Sequence, residues 1–150
     1  MKPKGEGKSK KKNNKVSVMV VRKNGLELWQ LTNTAAHLAA ALGAREGKGL
    51  LKFESITTKD GRHIPMNIQH AIMVKECTGN DDLHALLQAA EAVDVRVTTF
   101  TQEMIETTND NKVKASTAEK DMADIEFLGI QLFGEQAEVE RLTSQFELLK

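Results

Sequence analysis

At 150 residues, 40% hydrophobic and 28% charged, the chain is long enough for one domain with its own apolar core. Its single cysteine, Cys77, excludes an internal disulfide and suits a reducing, cytoplasmic setting. No apolar run is long enough to span a membrane, and residues 16–21 after the basic start are too short for a secretory signal.

The net charge of zero is unevenly distributed. Seven lysines against Glu6 make residues 1–15 +6, and the remaining 14 basic and 20 acidic residues make the rest −6. Residues 1–15 carry no apolar side chain after Met1, so they are expected to be a disordered basic tail ahead of a domain over 16–150. The tail reads either as an arm for the phosphates of RNA or DNA, or as a solvated terminus. Charge runs of this kind favour the second.

Residues 16–22 (VSVMVVR) form a β-branched apolar run, the pattern of a strand covered on both faces. Lys23-Asn24-Gly25 is a turn signal, and residues 28–44 (LWQLTNTAAHLAAALGA) predict a helix ending at Gly43. Leu31, Ala35, Leu38 and Leu42 make its inward stripe, and Ala36, Ala39, Ala40 and Ala41 leave most of the rest small and apolar. Such a helix is expected to be covered on two sides.

Asp60-Gly61, between residues 52–58 and 62–64, predicts a hairpin with Pro65 breaking it or on its edge. Residues 70–75 read as a second buried strand. Asn80-Asp81-Asp82 caps a helix reaching about residue 92, and residues 94–100 alternate as a third strand. Residues 101–106 suggest a helical turn. Residues 107–123 suggest a polar loop with a helical start near Ser116. Residues 125–133 give a fourth strand and 136–146 a closing amphipathic helix. The order predicts an α/β fold: a three-layer α/β/α arrangement, with a mixed four-stranded sheet and a small β-hairpin.

The segments VSVMVVRKNGLELWQLTNTAAHLAAALGA, AIMVKECTGNDDLHALLQAAEAVDVRVTTFTQEM and DIEFLGIQLFGEQAEVERLTSQF resemble the core of peptidyl-tRNA hydrolase II, over about residues 16–149. A closer resemblance is to a bacterial family of that superfamily, domain of unknown function 2000. It is carried by Trp29 to Ala35, by Lys59-Asp60-Gly61 before Pro65-Met66, and by Phe100-Thr101-Gln102-Glu103-Met104. The resemblance implies one antiparallel strand in the sheet and a homodimer. It also places the hydrolase's catalytic lysine near Thr32, its glutamine near Ala36, its histidine near Ala39 and its aspartate near Gln102. The hydrolase's threonine falls near Glu106 or Thr107. From residue 26 to 44 this chain has no lysine or arginine, so the resemblance in fold does not bring the family's reaction with it, and a hydrolase on peptidyl-tRNA or a related ester stays one of the alternatives.

A cleft is nonetheless expected where strands end and the first helix begins. Its candidate ligand-binding residues are Arg22, Lys23 and Asn24, then Trp29, Asn33 and His37 at helical spacing, then Thr101, Gln102 and Glu103. Glu103 is the one candidate catalytic acid. Trp29 more often anchors a helix end, and His37 is more often a satisfied buried or interface histidine; Asn33 in an apolar helix demands a partner. His63, His70 and His84 lack metal-ligand spacing, so neither metal nor cofactor is expected. No phosphate loop and no nucleophile elbow occurs, and five Phe, one Trp and no Tyr give little surface for stacking bases. Three functions remain: a binding domain for a small molecule or protein, a hydrolase using Glu103 with a helix N-terminus, and an RNA-binding accessory protein acting through the tail.

Overall fold

The computed structural model describes residues 14–67 and 70–150. The basic segment 1–13 lies outside the described residues. In chain order the elements are β1 (Lys15–Arg22), α1 (Leu28–Glu46), β2 (Phe53–Thr57), β3 (His63–Asn67), β4 (Ile72–Cys77) and α2 (Asn80–Glu91). There follow β5 (Arg96–Thr101), α3 (Gln102–Glu106), α4 (Asp110–Ala118), β6 (Phe127–Glu135), α5 (Gln136–Thr143) and β7 (Glu147–Leu148).

β1 is the middle strand, with Val18 to Val21 essentially without solvent exposure. Its two rows of side chains enter two different cores. Val18 and Val20, with Ile130 and Leu132 of β6, pack on Leu83, Leu86 and Ala90 of α2 and on Val139 and Leu142 of α5. Met19, with Phe100 and Leu128, packs on Leu38 of α1 and its half-buried Ala35 and Ala39. The sheet order is β5-β6-β1-β4-β7, with β1 parallel to β4 and antiparallel to β6. β5 is antiparallel to β6, and β7 to β4.

The sheet therefore has five strands rather than four, and two of them, β6 and β7, run against the others. The closing helix stops at Thr143 instead of residue 146, and Glu147 and Leu148 pair with Glu76 and Lys75. Two exposed residues have no hydrophobic period to read. β7 exists because β4 offers it a free edge, to which the Leu149 amide also donates, at the Val74 carbonyl, 3.0 Å away.

α1 runs through Gly43 and ends at Glu46, where Gly47 turns to φ 59°. Its buried residues are Leu31, Thr34, Leu38 and Leu42; Ala35 is only half-buried. Thr34 takes the inward place because its hydroxyl donates to the Gln30 carbonyl at 2.8 Å, leaving its methyl for the core. That methyl lies 2.8 Å from where a Cβ on Gly129 would stand, so the glycine in β6 is what lets α1 approach the sheet. No second side is covered among the described residues: Ala36 and Ala40 are exposed.

β2 and β3 form the hairpin around Asp60-Gly61, with Gly61 at φ 82°. Pro65 sits inside β3 opposite Ser55, which a two-stranded ribbon tolerates because both strands are edges. α2 is capped differently from the reading above. Gly79 is its N-cap, and the Asp82 carboxylate accepts from the amides of Thr78 and Gly79, at 3.3 Å each. Asn80 is turned away to brace the chain entering β6, donating to the Ile125 carbonyl and accepting from the Phe127 amide.

Candidate functional site

The nine candidate residues do not make one cleft; they separate into three places. Trp29, Asn33 and His37 stay together. With Ala41 they continue one four-residue spacing along α1 and line a cavity of about 570 Å³. β5 supplies its floor through Thr98, Thr99 and Phe100, and α3 adds Met104 and Ile105. Thr107, Thr108 and three residues of α4 (Asp110, Val113 and Lys114) complete it.

The His37 ring stacks on Phe100 with centroids 5.0 Å apart and planes 17° from parallel, which turns the imidazole into part of an aromatic wall. Trp29 is 54% exposed, and its indole N–H donates to the Glu27 carboxylate at 2.8 Å, holding the ring at the groove mouth. The volume is that of a small-ligand site, and mixed walls of aromatic, aliphatic and a few polar groups suit one.

Glu103 is the second place. Its side chain is buried at 3% exposure and ion-paired to Lys120. Burial pushes its carboxyl up, but the Lys120 ammonium, a backbone amide and the Thr101 hydroxyl together hold it below the usual carboxylate range. Thr101 is buried beside it. Gln102 points elsewhere, donating from its side chain to Glu106 at 3.1 Å. None of these three lines the groove. Lys120 pairs with Oε1 alone, and Oε2 is buried without a hydrogen-bond partner among the described residues; a carboxylate held ionised by such a pair is a poor general acid near neutral pH.

The third place is the far end of β1. Arg22 lies 3.9 Å from Glu126. The Glu126 carbonyl accepts from the Gln102 amide at 2.9 Å and its charge acts on Lys120, so the Arg22 side chain reaches toward the Glu103 pair and not into the cavity beside Lys23 and Asn24. Lys23 pairs with Glu76 at 3.1 Å and donates to the Lys150 carbonyl at 3.0 Å. Hydrogen bonds from the Lys150 amide and from Lys23 hold the Glu76 carboxyl below its ordinary range. Lys23 and Asn24 border a separate cavity of about 430 Å³ that reaches Cys77. Burial, aided by Asp82, pushes the Cys77 thiol up to about 12, so it is no nucleophile at neutral pH.

Two of the remaining histidines have hydrogen-bond partners, and His70 tilts against Phe133 with its Nε2 buried and unpartnered among the described residues. His84 Nε2 lies 2.8 Å from the Ile125 carbonyl and its ring edges onto Phe127, while His63 Nδ1 meets the Thr57 hydroxyl at 3.2 Å. Burial lowers the pKa of His70. Among the described residues no group of three or more His, Cys, Asp or Glu gathers to hold a metal, and no helix is long and apolar enough to cross a membrane. Thr32, where the hydrolase resemblance would put a lysine, turns its hydroxyl back onto the Leu28 and Trp29 carbonyls at 3.0 Å.

The sequence reading missed the groove's second wall. Residues 109–118 are mostly polar with Val113 the one large apolar side chain, yet Asn109 accepts from the amides of Asn111 and Lys112 and starts α4 there. The Asn109-Asp110 pair is the cap signal that would have located it.

The family described as "Protein of unknown function (DUF2000)" matches residues 15–150. No curated protein matches the chain. A solved structure of a protein of unknown function from Agrobacterium tumefaciens is similar, with 20% identity and a TM-score of 0.77 over 91% of this chain and 98% of its own. At that identity the likeness is one of fold.

Proposed function

The chain belongs to the DUF2000 family, and from that premise we propose that it is a binding domain with a peptidyl-tRNA hydrolase II-like, three-layer architecture and without that enzyme's reaction. The observation that carries the reading is the groove between α1 and α4, where aromatic and aliphatic side chains (Trp29, Leu38, Phe100, Met104, Ile105, Val113) alternate with polar ones, Asn33, Asp110, Lys114 and four threonines among them. Trp29, Asn33 and His37 are its recognition residues on α1. The loss of the lysine supports a binding role, because no cation from residue 26 to 44 faces a polyanionic substrate or a developing oxyanion.

The second reading, a hydrolase using Glu103, is weakened by the Lys120 ion pair and by the absence of Glu103 from the groove lining. Nucleic-acid binding through the lysines of residues 1–15 is weakened by the acidic remainder of the chain. Residence in the cytoplasm and a division into tail (1–15) and domain (16–150) belong to the same proposal, as does a homodimer through α1.

Labelled peptidyl-tRNA is the substrate that decides between binding and hydrolysis. The purified protein is expected to turn it over no faster than buffer. A rate within about tenfold of a true hydrolase, a barrier difference of only about 1.4 kcal/mol, overturns the proposal.

A further inference from the structure

β5 is the last strand on its side of the sheet; β6 flanks it on one side and, among the described residues, no strand flanks it on the other. An edge strand presents alternate main-chain N–H and C=O groups to whatever lies beside it. One such group is already taken: the Arg45 guanidinium donates to the Val97 carbonyl at 2.9 Å. That bond fixes the alternation, so Thr99, two residues on, also turns its main chain outward. Val97 packs into the α2 core, and Thr99 shares its side-chain direction. What Thr99 brings to the groove beside α1 is therefore its backbone. No backbone bond outside the ladder reaches it among the described residues.

We infer that the groove takes an extended peptide segment of another protein, added to β5 as a further strand at Thr99, with an apolar or aromatic side chain seated against Trp29 and His37. The inference rests on the proposal that this groove is the ligand site, and names its ligand. Charge adds a second term of recognition. Asp110 and Lys114 both line the groove, and neither forms an ion pair among the described residues. Four residues apart on a helix, they stand about 6 Å apart along the axis. Side chains two apart on an extended chain repeat at about 6.6 Å. A segment with one basic and one acidic residue flanking an apolar one matches both the charges and the spacing. A second copy's β5 fits less well, because each edge lies between α1 and α4, and paired strands must come within about 4.8 Å.

Trp29 is the only tryptophan, so its emission reports occupancy without a label. The probes are acetylated, amidated Thr-Glu-Phe-Lys-Thr and Thr-Lys-Phe-Glu-Thr. Each is also made with N-methyl groups at Phe alone, or at Glu and Lys together. Alternate amides face opposite ways, so one methylated form is expected to bind at least tenfold more weakly than its parent and the other within about threefold. The Thr99→Pro variant, with proline where an edge strand tolerates it, is expected to lose a similar factor. Should that variant fold poorly, the methylated peptides carry the test alone. Equal binding by both methylated forms, or peptide affinity no better than that of N-acetylphenylalaninamide, overturns the inference and leaves the groove as a small-molecule site. No change in Trp29 emission with any probe at millimolar concentration overturns the inference and the binding proposal together.

Discussion

Glu103 and Lys120 tie α3 to the segment that follows α4, one partner buried and the other a third exposed. Removing the ammonium leaves a carboxylate in the interior with one donor fewer. Lys120→Ala is therefore expected to cost about 1–3 kcal/mol, read as a lower urea midpoint. The Glu103 carboxyl is held below its ordinary value in the folded state, so the unfolded chain takes up its proton first as pH falls. The pair's contribution is complete above the unfolded value of about 4.3 and is lost as pH drops through the lower folded value. Glu103→Gln is expected to flatten that part of the acid-unfolding curve, and an unchanged curve assigns the acid sensitivity to other carboxylates such as Glu76. Glu103 was legible as an acid at a strand end. Its partner was not, because Lys120 lies 17 residues further on in a polar stretch with no periodicity to orient it.

Elements with a repeating apolar pattern were legible; those placed by a neighbour were not. β1, α1 and α2 were found because each buries a stripe or both faces, and such burial must be written in the side chains. β7 and α4 bury no side chain. β7 is set by the free edge of β4, and α4 by its Asn109 cap and by α3 beside it, so neither left a hydrophobic signature. The same logic splits the candidate site. The four-residue spacing of Trp29, Asn33 and His37 survives folding, whereas the strand ends expected to share their cleft have β6 between them and meet only through Glu126, away from the groove. The ribbon of β2 and β3 is the opposite case, legible from its turn but carrying little of the core. Ile56 and Ile64 face each other across it, each about half exposed (49% and 50%), and Phe53 is 91% exposed. Replacing residues 53–67 with a short Gly-Ser link is expected to leave the thermal midpoint of the isolated chain within a few degrees, since little buried surface is lost. A much larger fall would mean that the ribbon is clasped by something in solution, most simply a second copy.

At the scale of the whole molecule, the second apolar side of α1 has no cover among the described residues. Ala36 and Ala40 face outward beside the groove, on a helix of 19 residues. A helix of that length is about 28 Å long and offers a strip of roughly 300 Å², short of the roughly 800 Å² per partner of a stable interface, so a dimer has to recruit flanking surface as well. Two-fold symmetry would set the same alanines face to face, and their small side chains would let the two backbones come close. Ala40→Glu separates folding from assembly. An exposed position accepts glutamate at a folding cost of no more than about 0.5 kcal/mol. Across a two-fold axis the same change either opposes two carboxylates or buries one without a partner, at a cost of several kcal/mol. Light scattering is expected to give twice the 16.6 kDa chain mass for the wild type and the single mass for the variant, with superimposable circular dichroism. A wild type that stays monomeric at high micromolar concentration removes the dimer. If both proteins dimerise alike, the two-fold axis passes through another surface, and the exposed Ile56–Ile64 pair of the ribbon becomes the next to mutate.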